Sequence, residues 1–166
     1  MIFYLDHPKI PIPFHLTADK GIGADIRARD IEIAPDITLD FGDRPFIVSS
    51  SAGINIPTGS VVIQAQWFTL EAGGTLEARG CGADACGNLT IETDSHIYLY
   101  DDVTLQGDIE GGDLTLDSDG PIVITGKLTS NGSGGFSKGG NIHIDSADNL
   151  QVDEIDISGS NSAEHN

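Results

Sequence analysis

Acidic side chains recur at regular intervals in the second half of the chain, and their carboxylates are candidates for chemistry. Glu92, Asp117 and Asp145 follow one another at intervals of 25 and 28 residues. Asp94 and Asp119 repeat the first interval. If these intervals bring equivalent residues side by side, the carboxylates form a ladder whose mutual repulsion must be compensated. Ca²⁺ takes about six to eight oxygen ligands, so the ladder is a candidate calcium site, and the alternative is that the acids only keep the surface soluble.

A second candidate chemistry is acid–base cleavage of a polysaccharide. Asp101 and Asp102 are adjacent in the sequence "YDD", and Asp117 and Asp119 are further acids that would act with them. Two carboxylates that flank a glycosidic bond can serve as the acid and the base of its hydrolysis. Adjacent residues on a strand point to opposite faces, so Asp101 and Asp102 can act together only if they lie in a turn. The substrate would be neutral, because the acidic surroundings would repel an anionic sugar.

The two cysteines lie close together in the sequence. Cys81 and Cys86 enclose four residues in "CGADAC". A disulfide between them would close a small loop, contribute about 2 kcal/mol and imply an oxidising compartment. A metal site is disfavoured because only Asp84 adds a further ligand within the loop. Two free thiols are the alternative to the disulfide.

The charge of the chain excludes several classes of partner. Its formal net charge is −18. From residue 80 onward there are sixteen Asp or Glu residues, and the only Lys or Arg residues are Lys127 and Lys138. Such a field repels phosphate backbones and anionic lipid, so we expect no nucleic-acid binding.

No segment reaches the roughly 18 apolar residues of a membrane span, so we expect no membrane insertion. No nucleotide-binding glycine loop or nucleophile elbow occurs, and we expect no cofactor other than possible Ca²⁺.

The elements that would position these acids are short β-strands. The phrase "GNLTIETD" at 87–94 recurs as "GDLTLDSD" at 112–119 and as "GNIHIDSA" at 140–147. Each copy alternates apolar and polar residues, which is typical of a strand, and two further alternations follow each copy. Three short strands in each repeat of 25–28 residues indicate a solenoid whose equivalent strands stack in parallel.

The repeat also predicts which side chains point inward. The inward column contains Leu89, Leu114 and Ile142, with Ile91, Leu116 and Ile144 beside them. The outward residues between them are Thr90, Thr115 and His143. Gly87, Gly112 and Gly140 open the turns, where we expect a positive φ. Trp67 is expected at a corner of a coil or beneath an N-terminal cap.

Two long phrases connect the repeat with a known family. They are "GNLTIETDSHIYLYDDVTLQG" at 87–107 and "GDLTLDSDGPIVITGKLTSNG" at 112–132. Over residues 31–161 the chain resembles the right-handed parallel β-helices of filamentous-haemagglutinin-like repeats in bacterial surface and secreted proteins. The resemblance implies an all-β, right-handed parallel β-helix of about five coils with three short strands per coil. It also implies a non-catalytic, rigid module of an extracellular or cell-surface protein, with an adhesion or stalk role.

The remaining segments are expected to flank this β-helix. Residues 1–30 contain three prolines and are predicted to form a cap or a linker. Residues 162–166 are predicted to be a disordered tail or a point of truncation, so the chain would be part of a longer protein. The expected partner is a glycan or protein on a host or neighbouring cell. The competing hypothesis is a β-helical polysaccharide-active enzyme or carbohydrate-binding module that uses the surface carboxylates.

Overall fold

The described part of the chain is built from strands. The computed structural model describes residues 2–3, 24–26, 31–33, 35–56, 58–78 and 86–159. Within these ranges no helix is long and apolar enough to cross a membrane. The strands are β1 (Ile2–Phe3), β2 (Ala24–Ile26), β3 (Ile31–Glu32), β4 (Ile37–Asp40), β5 (Phe46–Val48), β6 (Gly53–Asn55), β7 (Ser60–Leu70), β8 (Thr75–Ala78), β9 (Asn88–Leu99), β10 (Val103–Gly107), β11 (Leu114–Ser118), β12 (Ile122–Gly132), β13 (Ile142–Ser146) and β14 (Leu150–Asp156).

These strands pair in parallel and form three columns. The first column contains β4, the beginnings of β7 and β9, then β11 and β13. The second contains β1, β2, β5, the ends of β7 and β9, and the beginnings of β12 and β14. The third contains β3, β6, β8, β10 and the ends of β12 and β14. The four long strands therefore bend around a corner from one column into the next.

The register of the first column fixes the length of each turn. It pairs Ile37 with Val61, Val61 with Leu89, Leu89 with Leu114, and Leu114 with Ile142, so successive turns take 24, 28, 25 and 28 residues. The chain is thus a parallel β-solenoid of about four turns, with five strands stacked in this column. The prediction of an all-β solenoid with parallel, in-register strands is confirmed.

The inward residues form one continuous apolar core. Leu89 and Leu114 lie directly above one another and are buried, as are their neighbours Ile91 and Leu116. Ile142 continues the column and is half-buried, because the turn of β13 and β14 is the last described one. The core is therefore the stacked aliphatic column that the repeat predicts, and burial of this apolar surface is the main stabilising contribution.

The glycines that open the turns are required for a different reason from the predicted one. Positive φ occurs among the described glycines at Gly42, Gly59 and Gly73. Gly87, Gly112 and Gly140 do not have it, so that prediction is wrong. A Cβ atom at Gly112 would collide with the carbonyl oxygen of Gly87. At Gly140 it would lie 2.5 Å from the carbonyl oxygen of Gly112. Gly112 and Gly140 are glycine because backbones of consecutive turns approach closely at this corner.

The polar residue after each of these glycines links consecutive turns. Asn88 Oδ1 accepts a hydrogen bond of 2.9 Å from the backbone N–H of Asp113. Asp113 Oδ1 accepts in turn from the backbone N–H of Asn141 at 2.7 Å. Asp36 makes the equivalent bond to the backbone N–H of Ser60 at 3.1 Å. This corner is therefore ordered by side chains that satisfy backbone groups of the next turn.

The N-terminal strands extend the second column. β2 pairs in parallel with β5, and β1 pairs in parallel with β2. Most of residues 1–30 and all of 160–166 lie outside the described residues. The predicted division into a cap or linker, a β-helix over 31–161 and a tail over 162–166 therefore stays a prediction.

Candidate functional site

The predicted acid ladder lies on the outer face of the first column. Register pairs Glu92 with Asp117, and Asp117 with Asp145. Gln64 lies one turn before Glu92 and donates from Nε2 to Glu92 Oε2 at 2.7 Å. Thr90, Thr115 and His143 form a parallel row on the same outer surface. We call these two rows together the polar face.

The geometry of the ladder bears directly on the predicted calcium site. Glu92, Asp117 and Asp145 lie one above another on consecutive turns, whereas Ca²⁺ needs several oxygens that converge on one point. Asp94 and Asp119 are exposed and follow Thr93 and Ser118, the last paired residues of their strand segments. Among the described residues, no group of three or more His, Cys, Asp or Glu side chains is arranged to hold a metal ion. Calcium binding stays a prediction, and this linear arrangement does not favour it.

Asp101 and Asp102 lie in the turn between β9 and β10, so they meet the condition for acting together. Both carboxylates are, however, engaged by backbone groups. Asp101 Oδ2 accepts from Gly73 N at 2.7 Å, and its Oδ1 accepts from Asp102 N at 2.8 Å. Asp102 Oδ1 accepts from Lys127 N at 2.8 Å. The pair therefore connects the turn before it with the turn after it.

The four acids of the polysaccharide hypothesis are not brought into one cluster. Asp117 lies on the polar face, and Asp119 lies just beyond the end of the first column. Asp101 and Asp102 lie beyond the far end of the second column. One strand segment of the second column therefore separates the two pairs. His96 is likewise in the second column and His143 in the first, so they belong to different outer faces.

The predicted disulfide involves a residue outside the described part of the chain. Cys81 is not among the described residues, so its pairing with Cys86 stays a prediction. Cys86 is buried, and its Sγ lies 3.1 Å from the carbonyl oxygen of Gln106 and 3.4 Å from that of Ala78. Its sulfur is therefore enclosed by backbone of two adjacent turns.

The outer face of the second column carries a row of rings that the sequence analysis missed. Trp67 stacks on His96 across β7 and β9, with ring centroids 5.8 Å apart and planes inclined by 18°. His96 and Tyr98 follow on the same strand with centroids 4.2 Å apart, and Tyr98 and Tyr100 with centroids 5.8 Å apart. We call Trp67, His96, Tyr98 and Tyr100 the aromatic face. Trp67 does lie at a corner, as predicted, because the β7–β9 register shifts between Ala65 and Trp67.

The ring stack changes the chemistry of its histidine. Burial against neighbouring groups lowers the pKa of His96 from its usual value of 6.5, because it disfavours the charged imidazolium. Ser95 Oγ lies 3.2 Å from Nδ1 of the same ring. The aromatic face therefore presents a neutral imidazole over a wider pH range than a free histidine would.

Acids lie at both ends of the aromatic face. At one end Asp94 precedes His96 by two residues, and Asp119 belongs to the next turn, where its N–H donates to the carbonyl of Thr93 at 3.0 Å. At the other end the backbone N–H of Tyr100 donates to the carbonyl oxygen of Leu70 at 2.9 Å, and Asp101 is the next residue in the sequence. The aromatic face is thus a row of rings between two acidic corners.

The lysine near the second acidic corner is already paired. Lys127 Nζ lies 2.8 Å from Glu154 Oε1 and 2.9 Å from Asp156 Oδ2. Hydrogen bonds to Glu154 and then to Asp156 raise the pKa of Lys127 above its usual range. The same contact with Lys127 lowers the pKa of Asp156. The ammonium group therefore neutralises acids of the following turn rather than those beside the rings.

Comparison with known proteins adds no assignment to this geometry. No model of a protein family, no curated protein and no solved structure matches the chain. The parallel β-solenoid is established by the strand register, and membership of the filamentous-haemagglutinin-like repeats stays a hypothesis.

Proposed function

We propose that the chain is a rigid, non-catalytic β-solenoid module of a secreted or cell-surface protein, with an adhesion or stalk role. The observation that carries the proposal is the unbroken register of the first column from Ile37 to Ile142 over a buried aliphatic core. The resemblance of the repeats to filamentous-haemagglutinin-like proteins supports the same role.

The proposed mechanism is geometric. Parallel strands stack at about 4.8 Å per turn, so the module has a fixed rise and a continuous set of hydrogen bonds along its axis. Bonds such as Asn88 to Asp113 join the side chains of one turn to the backbone of the next. Bending the stack would break several of these bonds at once, so the module would hold whatever its outer faces bind at a fixed position.

The engagement of the candidate acids supports a non-catalytic role. A general acid or base must exchange a proton with substrate, whereas both oxygens of Asp101 and Oδ1 of Asp102 accept backbone hydrogen bonds. The alternative, a polysaccharide-active enzyme or a carbohydrate-binding module using surface carboxylates, requires these acids to converge. A panel of neutral polysaccharides incubated with purified protein tests it: release of reducing ends that is abolished by Asp101→Asn would favour the enzyme.

The location of the protein on or outside the cell tests the proposed surface or secreted role. An antibody raised against the purified module is expected to label intact cells that carry the gene, with a cytoplasmic protein as the control for lysis. Labelling that appears only after lysis, in cells that express the protein and release none into the medium, would contradict a surface or secreted role.

The calcium question has a separate experiment. We expect the same melting midpoint with added Ca²⁺ and with a chelator, because Glu92, Asp117 and Asp145 lie in a row along consecutive turns rather than around one point. A rise in the midpoint with Ca²⁺ that Asp117→Asn removes, and that Asp153→Asn keeps, would instead establish the ladder as a calcium site.

A further inference from the structure

The aromatic face is chemically unlike the outer surfaces around it. The outward residues of β9 and β11 in the first column are polar, and those of the third include Thr104, Gln106 and Thr129. In the second column rings take outward places at Trp67 of β7 and at His96 and Tyr98 of β9, and Tyr100 remains 43% exposed. Exposed aromatic patches on soluble proteins mark interaction sites, and tyrosine and tryptophan are the residues most enriched in their energetic centres.

The rings and their surroundings favour a cation as the ligand. The face of an aromatic ring attracts a guanidinium or ammonium group, and a guanidinium also stacks flat on it. Among the described rings Tyr100 and Trp67 end the row, and the exposed ring of Tyr100 is accessible to a ligand. His96 adds no competing positive charge near neutral pH, since burial favours its neutral form.

The charge around the rings selects the same ligand. Asp94 and Asp119 lie at one end of the aromatic face, and Asp101 and Asp102 at the other. The nearby ammonium group of Lys127 is paired with Glu154 and Asp156, so it does not offset these charges. A net charge of −18 would also steer basic partners toward the module and repel acidic ones.

We infer that the aromatic face is a binding site for an arginine- or lysine-rich segment of a partner protein. From His96 to Tyr100 the row extends about 13 Å along the strand, which matches about four residues of an extended peptide. Basic side chains of this segment would lie on the rings and reach the carboxylates at either end. The inference rests on the proposed adhesion role and names the chemistry of its partner.

The single tryptophan allows a direct test. Trp67 is the only tryptophan of the chain, so its fluorescence reports on the aromatic face alone. We expect an arginine-rich peptide to change this emission with a saturable dependence, and added salt to weaken the binding. A glutamate-rich peptide of equal length and a neutral oligosaccharide should leave the emission unchanged.

Matched variants identify the face. Tyr98→Ala and Tyr100→Ala should each weaken peptide binding about 2- to 30-fold, while Thr115→Ala on the polar face should not. Asp94→Asn should weaken it as well, and Asp145→Asn, a substitution of the same kind on the polar face, should not. Circular dichroism before each titration confirms that a variant has kept its strands.

Three results would overturn the inference. A neutral oligosaccharide that changes Trp67 emission while the arginine peptide does not would make the ligand a glycan. If the Tyr98→Ala and Tyr100→Ala variants bound the peptide as tightly as the unsubstituted protein, the acidic surface would bind cations without using the rings. No emission change with the basic peptide would remove the site altogether. None of these results alters the cell-labelling test, so failure of the site and failure of the proposed role are separable.

Discussion

The polar face and the aromatic face cover the same core with opposite chemistry. On the polar face β9 and β11 repeat the same kinds of residue, as in Thr90 and Thr115 or in Glu92 and Asp117. The rings of the aromatic face lie on β7, on β9 and at the residue after β9, and the next turn places Val123 beside Tyr98. The inward positions must repeat because every turn shares the core, whereas the outward positions are free to differ. Binding chemistry is therefore to be sought where the outer surface departs from the repeat.

The largest effect should come from the core that both faces share. Leu116→Ala is expected to cost about 2–5 kcal/mol, because Leu116 is fully buried in the stacked column. Thr115→Ala, on the polar face one residue away, should change stability by no more than about 0.5 kcal/mol. Urea unfolding followed by circular dichroism measures both. Similar losses in the two variants would mean that the inward and outward assignment is wrong.

A smaller loss should follow from crowding at the corner between turns. Gly112→Ala is expected to cost about 2–3 kcal/mol, because the new Cβ would meet the carbonyl oxygen of Gly87. Gly42→Ala is the control, since Gly42 has a φ of 53° and open space around its Cβ position. It should cost only about 1 kcal/mol, from backbone conformation alone. If Gly42→Ala proves the more damaging change in the same urea experiment, close approach is not what requires Gly112.

Acids at the corner and on the polar face should respond in opposite directions. Asp101→Ala is expected to destabilise the fold by about 1 kcal/mol, because the N–H groups of Gly73 and Asp102 lose their acceptor. Asp117→Ala should be neutral or stabilise by about 0.2–0.5 kcal/mol, since it removes a like charge between Glu92 and Asp145. Thermal unfolding at low ionic strength compares them. A loss of stability in the Asp117→Ala variant would indicate that the carboxylate ladder has an unrecognised partner.

The smallest effect concerns the pH response of the aromatic face. The pKa of His96 is lowered in the fold, so the unfolded chain binds this proton more readily than the folded one. Its contribution to stability is therefore present above the usual pKa of 6.5 and decreases as the pH falls below that value. Ring-proton NMR should show His96 titrating below 6.5, and His96→Gln should remove this part of the pH dependence. A midpoint above 6.5 would contradict the burial of this ring.

The inward half of the structure was predictable because burial imposes a period on the sequence. Leu89, Leu114 and Ile142 must coincide if the turns are to share a core, and the structure stacks them as predicted. The glycines were recognised for the wrong reason, because close approach of two turns cannot be read from one turn alone. The hydrogen bonds of Asp101 and Asp102 were missed for the same reason, since their donors lie in other turns.

The aromatic face was hidden by one extra residue at a corner. In the first column the step from β7 to β9 is 28 residues, as for Ala65 and Thr93, whereas beyond the corner it is 29, as for Trp67 and His96. Counting by 28 would have placed Trp67 against Ser95 and concealed the stack. The corner bonds had a readable signal, since Asn88, Asp113 and Asn141 each follow a repeated glycine.

Both faces depend on turns that stack in parallel and in register. Nuclear Overhauser contacts between the methyl groups of Leu89 and Leu114, and of Leu114 and Ile142, test this stacking most directly. Parallel stacking predicts contacts between residues whose numbers differ by a constant within each pair of strands, 25 for β9 with β11 and 28 for β11 with β13. Contacts in which one residue number rises while its partner's falls would show antiparallel hairpins and contradict the solenoid.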